Sequence, residues 1–337
     1  MTDRVLVTGI SGFLGGHVAL QLLTAGYTVR GSVRNLSKAD KVRDTLSKAG
    51  ADTSRLEFVA LDLLSDAGWR EAMDGVRYLQ HTASPFALET PKDPNDFIRP
   101  AVEGTRRAIE AALAAQVERV VLTSSIAAIQ YGQADYARTM TEADWTDVDS
   151  PTTGAYPKSK TLAEREAWRL MDAAGRHDDL AVINPAGILG PLLDEDPGTS
   201  ATIIRRLLDG KLPAAPKLAM SLVDVRDVAA LQVDAMTNPA AGGQRCIASQ
   251  GTYWMSDVGR MLRPAFPDRR VPTGELPTWL LRVVALFDRD IRDNLHELGT
   301  MKRVDGHRGS ERLGRPLITA ADAAIATGRS LVAHHLV

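Results

Sequence analysis

The 337-residue chain holds a single cysteine, Cys246, so no internal disulfide framework can exist. A lone thiol suits a reducing cytosol better than a secreted scaffold, and its simplest place is in the core as a small buried residue. Long apolar runs are missing too, and none approaches the length that a bilayer span requires. The apolar strand pattern begins by Val5, which leaves no space for a secretory leader and predicts a cytoplasmic protein. Net charge is only −2, which excludes a broad electrostatic footprint for nucleic acid or an anionic membrane. The seven histidines show no metal-ligand spacing, and His334 and His335 read as a polar tail. Repeats, low-complexity tracts and coiled-coil heptads are absent. What is present, 44% hydrophobic and 24% charged residues, supplies the core of one large or two modest domains.

Strand-like and helix-like stretches alternate through the first half. "RVLVTG" (4–9) reads as a buried strand, and "FLGGHVALQLLTAG" (13–26) puts Leu14, Val18, Leu22 and Ala25 on one helical face. Further strands are expected at 28–33, 56–61, 76–83, 118–125 and 179–186, with helices near 36–48, 66–74, 93–115 and 154–174. This alternation predicts an α/β fold, a doubly wound parallel sheet of Rossmann type whose ligand lies at the carboxyl ends of the strands. Beyond about residue 186 proline and glycine cluster and the pattern loosens. We expect residues 1–186 to form the dinucleotide-binding domain, with 221–249 returning to it. Residues 187–220 and 250–337, including a helical stretch over 276–295, are expected to form a smaller, mostly helical substrate lobe.

"VTGISGFLGG" places Gly9, Gly12 and Gly15 at the first strand–helix junction. A tight turn there lets backbone approach a pyrophosphate, and the helix N-terminus offers unpaired N–H groups to it. The intervening Ser11, Phe13 and Leu14 belong to the same candidate cofactor-binding turn. An NAD site usually carries an acidic residue at the end of the second strand. This chain has "GSVRN" there, with Arg34 in place of a carboxylate and Lys41 further on, which points to the 2′-phosphate of NADPH.

"TSS" (123–125) ends the fifth strand on the ligand-binding edge, and "TGAYPKSKTLAE" (153–164) sets Tyr156 four residues before Lys160 at a helix start. Pro157 fits that placement, because proline is tolerated in the first helical turn. Together with the glycine turn, in this order and spacing, these features resemble the extended short-chain dehydrogenase/reductase family. The likeness covers essentially the whole chain. It looks closest to the branch of dihydroflavonol reductases, cinnamoyl-CoA reductases and microbial aldehyde or ketone reductases. "HTASPF", "VVLTSSIAA", "YPKSKTLAE", "INPAGILGP" and "LVDVRDVA" carry it alongside the glycine turn.

The resemblance implies Ser125 as the residue that hydrogen-bonds the substrate oxygen, Tyr156 as proton donor and Lys160 as the binder of the nicotinamide ribose. It likewise implies adenine contacts at Asp62 and Leu63, a passage along the cofactor's middle by Thr82, Ala83 and Ser84, and nicotinamide contacts at Pro185 and Ile188. A lysine ammonium ~4 Å from the phenol would favour the phenolate by about 4 kcal/mol at an effective dielectric near 20, with burial opposing it. A moderately lowered tyrosine pKa is therefore expected. Two departures stand out. The fourth catalytic asparagine of many short-chain enzymes has no counterpart in "RPAVEGTRRAIEAAL", and Gln130 sits where flavonoid-reducing members usually show asparagine.

The expected activity is NADPH-dependent reduction of small-molecule aldehydes or ketones bearing an apolar or aromatic group, by a monomer or homodimer. Phe86, Gln130, Tyr131 and the loops near 187–200 and 217–221 are the candidate substrate lining. A sugar-nucleotide epimerase or dehydratase is the rival on the same scaffold. It would want an acid near Arg34 and, for a dehydratase, acids where Ile126 and Ala127 stand. A hydroxysteroid-type dehydrogenase is a nearer rival, and a non-catalytic NADPH sensor would be expected to lack the tyrosine or the lysine.

Overall fold

The computed structural model describes residues 3–84, 93–195, 198–277, 279 and 297–337. Its first half runs β1 (Arg4–Thr8), α1 (Phe13–Thr24), β2 (Thr28–Val33), α2 (Ala39–Lys48), β3 (Leu56–Ala60), α3 (Trp69–Met73), β4 (Tyr78–His81), α4 (Asn95–Ala114), β5 (Arg119–Thr123), α5 (Ala155–Ala173) and β6 (Leu180–Pro185). There follow β7 (Gly187–Leu189), α6 (Gly198–Leu208), β8 (Ala219–Asp224), α7 (Val225–Thr237), β9 (Gln244–Ala248), β10 (Gly251–Trp254) and α8 (Met255–Leu262). Two C-terminal helices, α9 (His307–Leu313) and α10 (Ala320–Ala333), complete the described elements.

Seven strands pair in the order β3-β2-β1-β4-β5-β6-β9, every pair parallel. The strands are apolar on both faces because both faces are covered. On β1, Val5 and Val7 join the core beneath α1 and α7, while Leu6 joins the opposite one with residues of α3, α4 and α5. Leu14, Val18 and Leu22 of α1 are buried as the helical period requires; Ala25 lies just past the helix end and is exposed. The order reverses at β1, whose neighbours are β2 and β4, so the crevice opens where β1 and β4 end.

The 221–249 segment, expected to rejoin the large sheet, divides. β9 pairs with β6 at its edge and α7 packs on it, but β8 pairs with β7 and β10 in a separate three-stranded sheet. The reason is local: β7 follows β6 after a single residue, and it runs beside β8 from Gly187↔Leu222 to Leu189↔Asp224. Helices predominate among the described residues of the lobe, as expected, but it also holds this small sheet, which packs with α6, α8 and α10 around Leu189, Ile204, Leu222, Leu262 and Leu331. Phe13 touches both this core and that beneath α1, joining the lobe to the glycine turn. The helical expectation over 276–295 lies, apart from 276, 277 and 279, outside the described residues.

Candidate active site

Gly9 leaves β1 with φ +70°, a conformation that side chains resist, and a Cβ there would stand 2.9 Å from Ala83 Cα. A Cβ on Gly15 would stand 2.2 Å from the Gly9 carbonyl oxygen. Gly12 differs: its Cβ would meet nothing nearer than 3.4 Å, so the space above it is open. Gly12 is also the N-cap of α1, with no side-chain cap and no acid in the first turn. Free N–H groups beneath an open surface are what a pyrophosphate needs, so this turn fits a dinucleotide. Ser11 is exposed beside it, whereas Leu14 is 9% exposed and packs into the core, leaving only its backbone N–H to face a phosphate. Thr82 donates to the Thr8 carbonyl (2.6 Å), and the Thr8 hydroxyl accepts from Ala83 N (3.1 Å), which fixes the chain leaving β4 against the turn; Ser84 follows it there.

Arg34 follows β2 directly and is exposed, with no carboxylate partner among the described residues. Lys41, on the following helix, is exposed and lies 3.5 Å from Asp194. Asp62 is exposed and accepts from Leu64 N (2.9 Å), and Leu63 packs where a Cβ on Gly104 would come within 3.0 Å. Pro185 is buried at the end of β6, and Ile188 is half-buried in β7.

β5 ends at Thr123, and the Ser125 hydroxyl caps the short turn that follows, accepting from Ala127 N at 3.1 Å. Tyr156 is the second residue of α5, and its ring lies 6.2 Å from that of Phe97 on α4. The Ser125 hydroxyl stands close enough to the Tyr156 phenol to act on its titration. Lys160 lies one helical turn further along. Burial pushes the Tyr156 phenol above its ordinary value, and the Ser125 hydroxyl pulls the other way. The moderately lowered tyrosine pKa expected from the lysine is therefore corrected: burial wins, although 38% exposure shows that the cleft still admits solvent, which tempers the rise. Burial also lowers the Lys160 ammonium to about 8, with the Glu164 carboxylate opposing. His81, at the end of β4, is held down to about 4 by burial and by the charge of Lys160, and its Nδ1 lies 2.9 Å from the Thr8 hydroxyl.

The Tyr131 hydroxyl is pushed up by burial and by Glu297, with the Gln130 side chain opposing and Tyr156 adding a smaller push. Lys302 lies over the Tyr131 ring at 4.0 Å and pairs with Glu297. Phe86 lies outside the described residues. Of the expected lining loops, 187–189 is strand β7 and 219–221 begins β8. Sequence reasoning passed over Glu164, Asn184 and Arg245, which form a buried polar cluster behind Ser125 and Lys160. The available signal was the i, i+4, i+8 repeat of Tyr156, Lys160 and Glu164 on one helix. Among the described residues no three or more His, Cys, Asp or Glu side chains are grouped to hold a metal, and no described helix is long and apolar enough to cross a membrane.

Residues 5–248 match the model of the NAD dependent epimerase/dehydratase family. A cinnamoyl-CoA reductase of Medicago truncatula is 35% identical over 274 residues, covering 80% of this chain and 82% of that protein. Tetraketide alpha-pyrone reductase 2 of Arabidopsis thaliana is 34% identical, covering 79% and 84%. The crystal structure of Gre2 from Candida albicans in complex with NADPH superposes with a TM-score of 0.80 at 26% identity, covering 99% of each chain. The chain belongs to the NAD dependent epimerase/dehydratase family, that is, to the extended short-chain dehydrogenases/reductases. Within it the protein is an oxidoreductase.

Proposed function

We propose that the protein is an NADPH-dependent reductase of aldehydes and ketones that carry an apolar or aromatic group. The observation that carries this reading is the meeting of Ser125, just after β5, with Tyr156 on α5, Lys160 standing one turn behind. The reductase relatives and the NADPH-bound neighbour support it.

Bound NADPH supplies the hydride. Tyr156 then gives its phenolic proton to the carbonyl oxygen, and Ser125 steadies the charge developing there. A phenol raised by burial is protonated at neutral pH, which is the state that reduction consumes. Lys160, mostly charged below about 8, favours the phenolate as the proton leaves and offers donors to the nicotinamide ribose. The glycine turn holds the pyrophosphate, with Ser11, Phe13 and Leu14 shaping it, and Arg34 grips the 2′-phosphate with Lys41 in support. Asp62 and Leu63 flank the adenine, Thr82 to Ser84 the middle of the cofactor, and Pro185 and Ile188 the nicotinamide. Gln130 and Tyr131 line the substrate cleft, with Phe97 beside the Tyr156 ring adding an apolar surface.

A sugar-nucleotide dehydratase fits less well, because Ile126 and Ala127 are buried apolar residues where acids would be required. The test is a cofactor-oxidation screen with NADPH and NADH against aldehydes, ketones and β-keto esters. NADPH-dependent turnover of apolar carbonyls is expected, and no consumption across the panel would refute the reading.

A further inference from the structure

Glu164 is 1% exposed, and its carboxylate accepts from four residues, one of them Trp168 Nε1 of its own helix at 3.4 Å. Oε1 accepts from Arg245 Nε of β9 at 2.6 Å, and Oε2 accepts from Asn184 Nδ2 of β6 at 2.8 Å and from the Ser124 hydroxyl. The same Asn184 amide also donates to the Ser125 carbonyl at 3.2 Å. Arg245 is held in turn by the carbonyls of Glu142 (2.7 Å) and Asp144 (2.6 Å) and stacks 3.9 Å from the Trp145 ring. One buried anion therefore bonds, directly or through Asn184, to both serines at the end of β5, while sitting one turn below Lys160 on α5.

We propose that Glu164 is a positioning residue for carbonyl reduction, tying the helix of Tyr156 and Lys160 to the strand end of Ser125. This rests on the reductase reading above. Ser125 and Tyr156 stand on two separate elements, and the carboxylate bonds one to the other through Ser124 and Asn184, which fixes the geometry that reduction needs. Its charge also acts on Lys160. Among the described residues the titratable groups that act on that ammonium are Glu164 from its own helix and His81 from β4, and Arg245 contacts Glu164 itself.

The test compares the full-length protein with Glu164→Gln, which keeps the shape but replaces one acceptor oxygen by an NH2 facing Asn184. Expected are a kcat at least tenfold lower, NADPH affinity within about threefold, and an alkaline limb of kcat displaced to lower pH. Since the variant leaves Arg245 buried without its anion, Glu164→Gln/Arg245→Met removes both charges and covers a failure to fold. The double variant is expected to keep the loss in kcat. A 13C-lysine NMR titration, with Lys160→Met for assignment, reads the ammonium without turnover and should show it losing its proton at lower pH in Glu164→Gln. Absence of wild-type turnover would refute the reductase reading alone, leaving this titration to decide. A folded variant with unchanged kcat and unchanged Lys160 titration, or a double variant with wild-type kcat, would overturn the positioning role.

Discussion

The glycine turn after β1 and the tyrosine helix α5 face one crevice but are built on opposite principles. The turn works through missing side chains: Gly9 and Gly15 are held by backbone closeness, and Gly12 leaves its surface bare. The helix works through side chains assembled from distant parts of the chain, with Ser125, Glu164, Asn184 and Arg245 meeting behind Tyr156 and Lys160. A steric cradle is therefore set by a few neighbouring residues, whereas the proton-transfer site depends on four elements keeping their register.

The sharpest break between the two should come from Tyr156→Phe. Removing the hydroxyl takes away the proton donor, so reductive kcat should fall on the order of a thousandfold. NADPH affinity measured by fluorescence titration should stay within a few-fold of wild type. Equal losses in both would erase the distinction between cradle and catalytic helix.

Within the turn, two substitutions separate folding from binding. Gly15→Ala forces a Cβ against the Gly9 carbonyl and should destabilise the protein by about 2–4 kcal/mol in denaturant melts. Gly12→Ala has room in the protein itself, so its melt should match wild type while NADPH binding weakens at least tenfold.

These contrasts explain what could be read in advance. The parallel sheet followed from apolar runs such as Val5–Leu6–Val7, because strands buried on both faces leave an uninterrupted signature. The glycine turn and the Tyr156–Lys160 pair were legible because each is local. The pairing of β8 with β7 was not, since nothing within 219–224 tells which sheet will accept it. Arg245 was equally hidden: its role comes from a carboxylate 81 positions away, and an isolated arginine in a strand carries no mark of its partner. The direction of the Tyr156 shift failed for a related reason, because a Coulomb argument from spacing cannot weigh burial supplied by other elements.

A pH profile sharpens the helix side. Lys160 carries its proton below about 8 and loses it above, so reductive kcat should be fullest near neutrality and decline as pH rises through that value. A rate that climbs through pH 9 would remove the ammonium from the mechanism. On the cradle side the smallest change is expected from Arg34→Glu. Charge reversal at the end of β2 should shift the NADPH-to-NADH ratio of kcat/KM about tenfold towards NADH, or roughly 1.4 kcal/mol. An unchanged ratio would assign 2′-phosphate recognition to other residues.

The most direct measurement follows the hydrogen itself. With NADPH deuterated at the transferring position and an aromatic aldehyde as substrate, the account requires one deuterium on the carbinol carbon of the alcohol and one NADP+ released per turnover. Product without deuterium, or a cofactor returned unchanged as in an epimerase cycle, would contradict it.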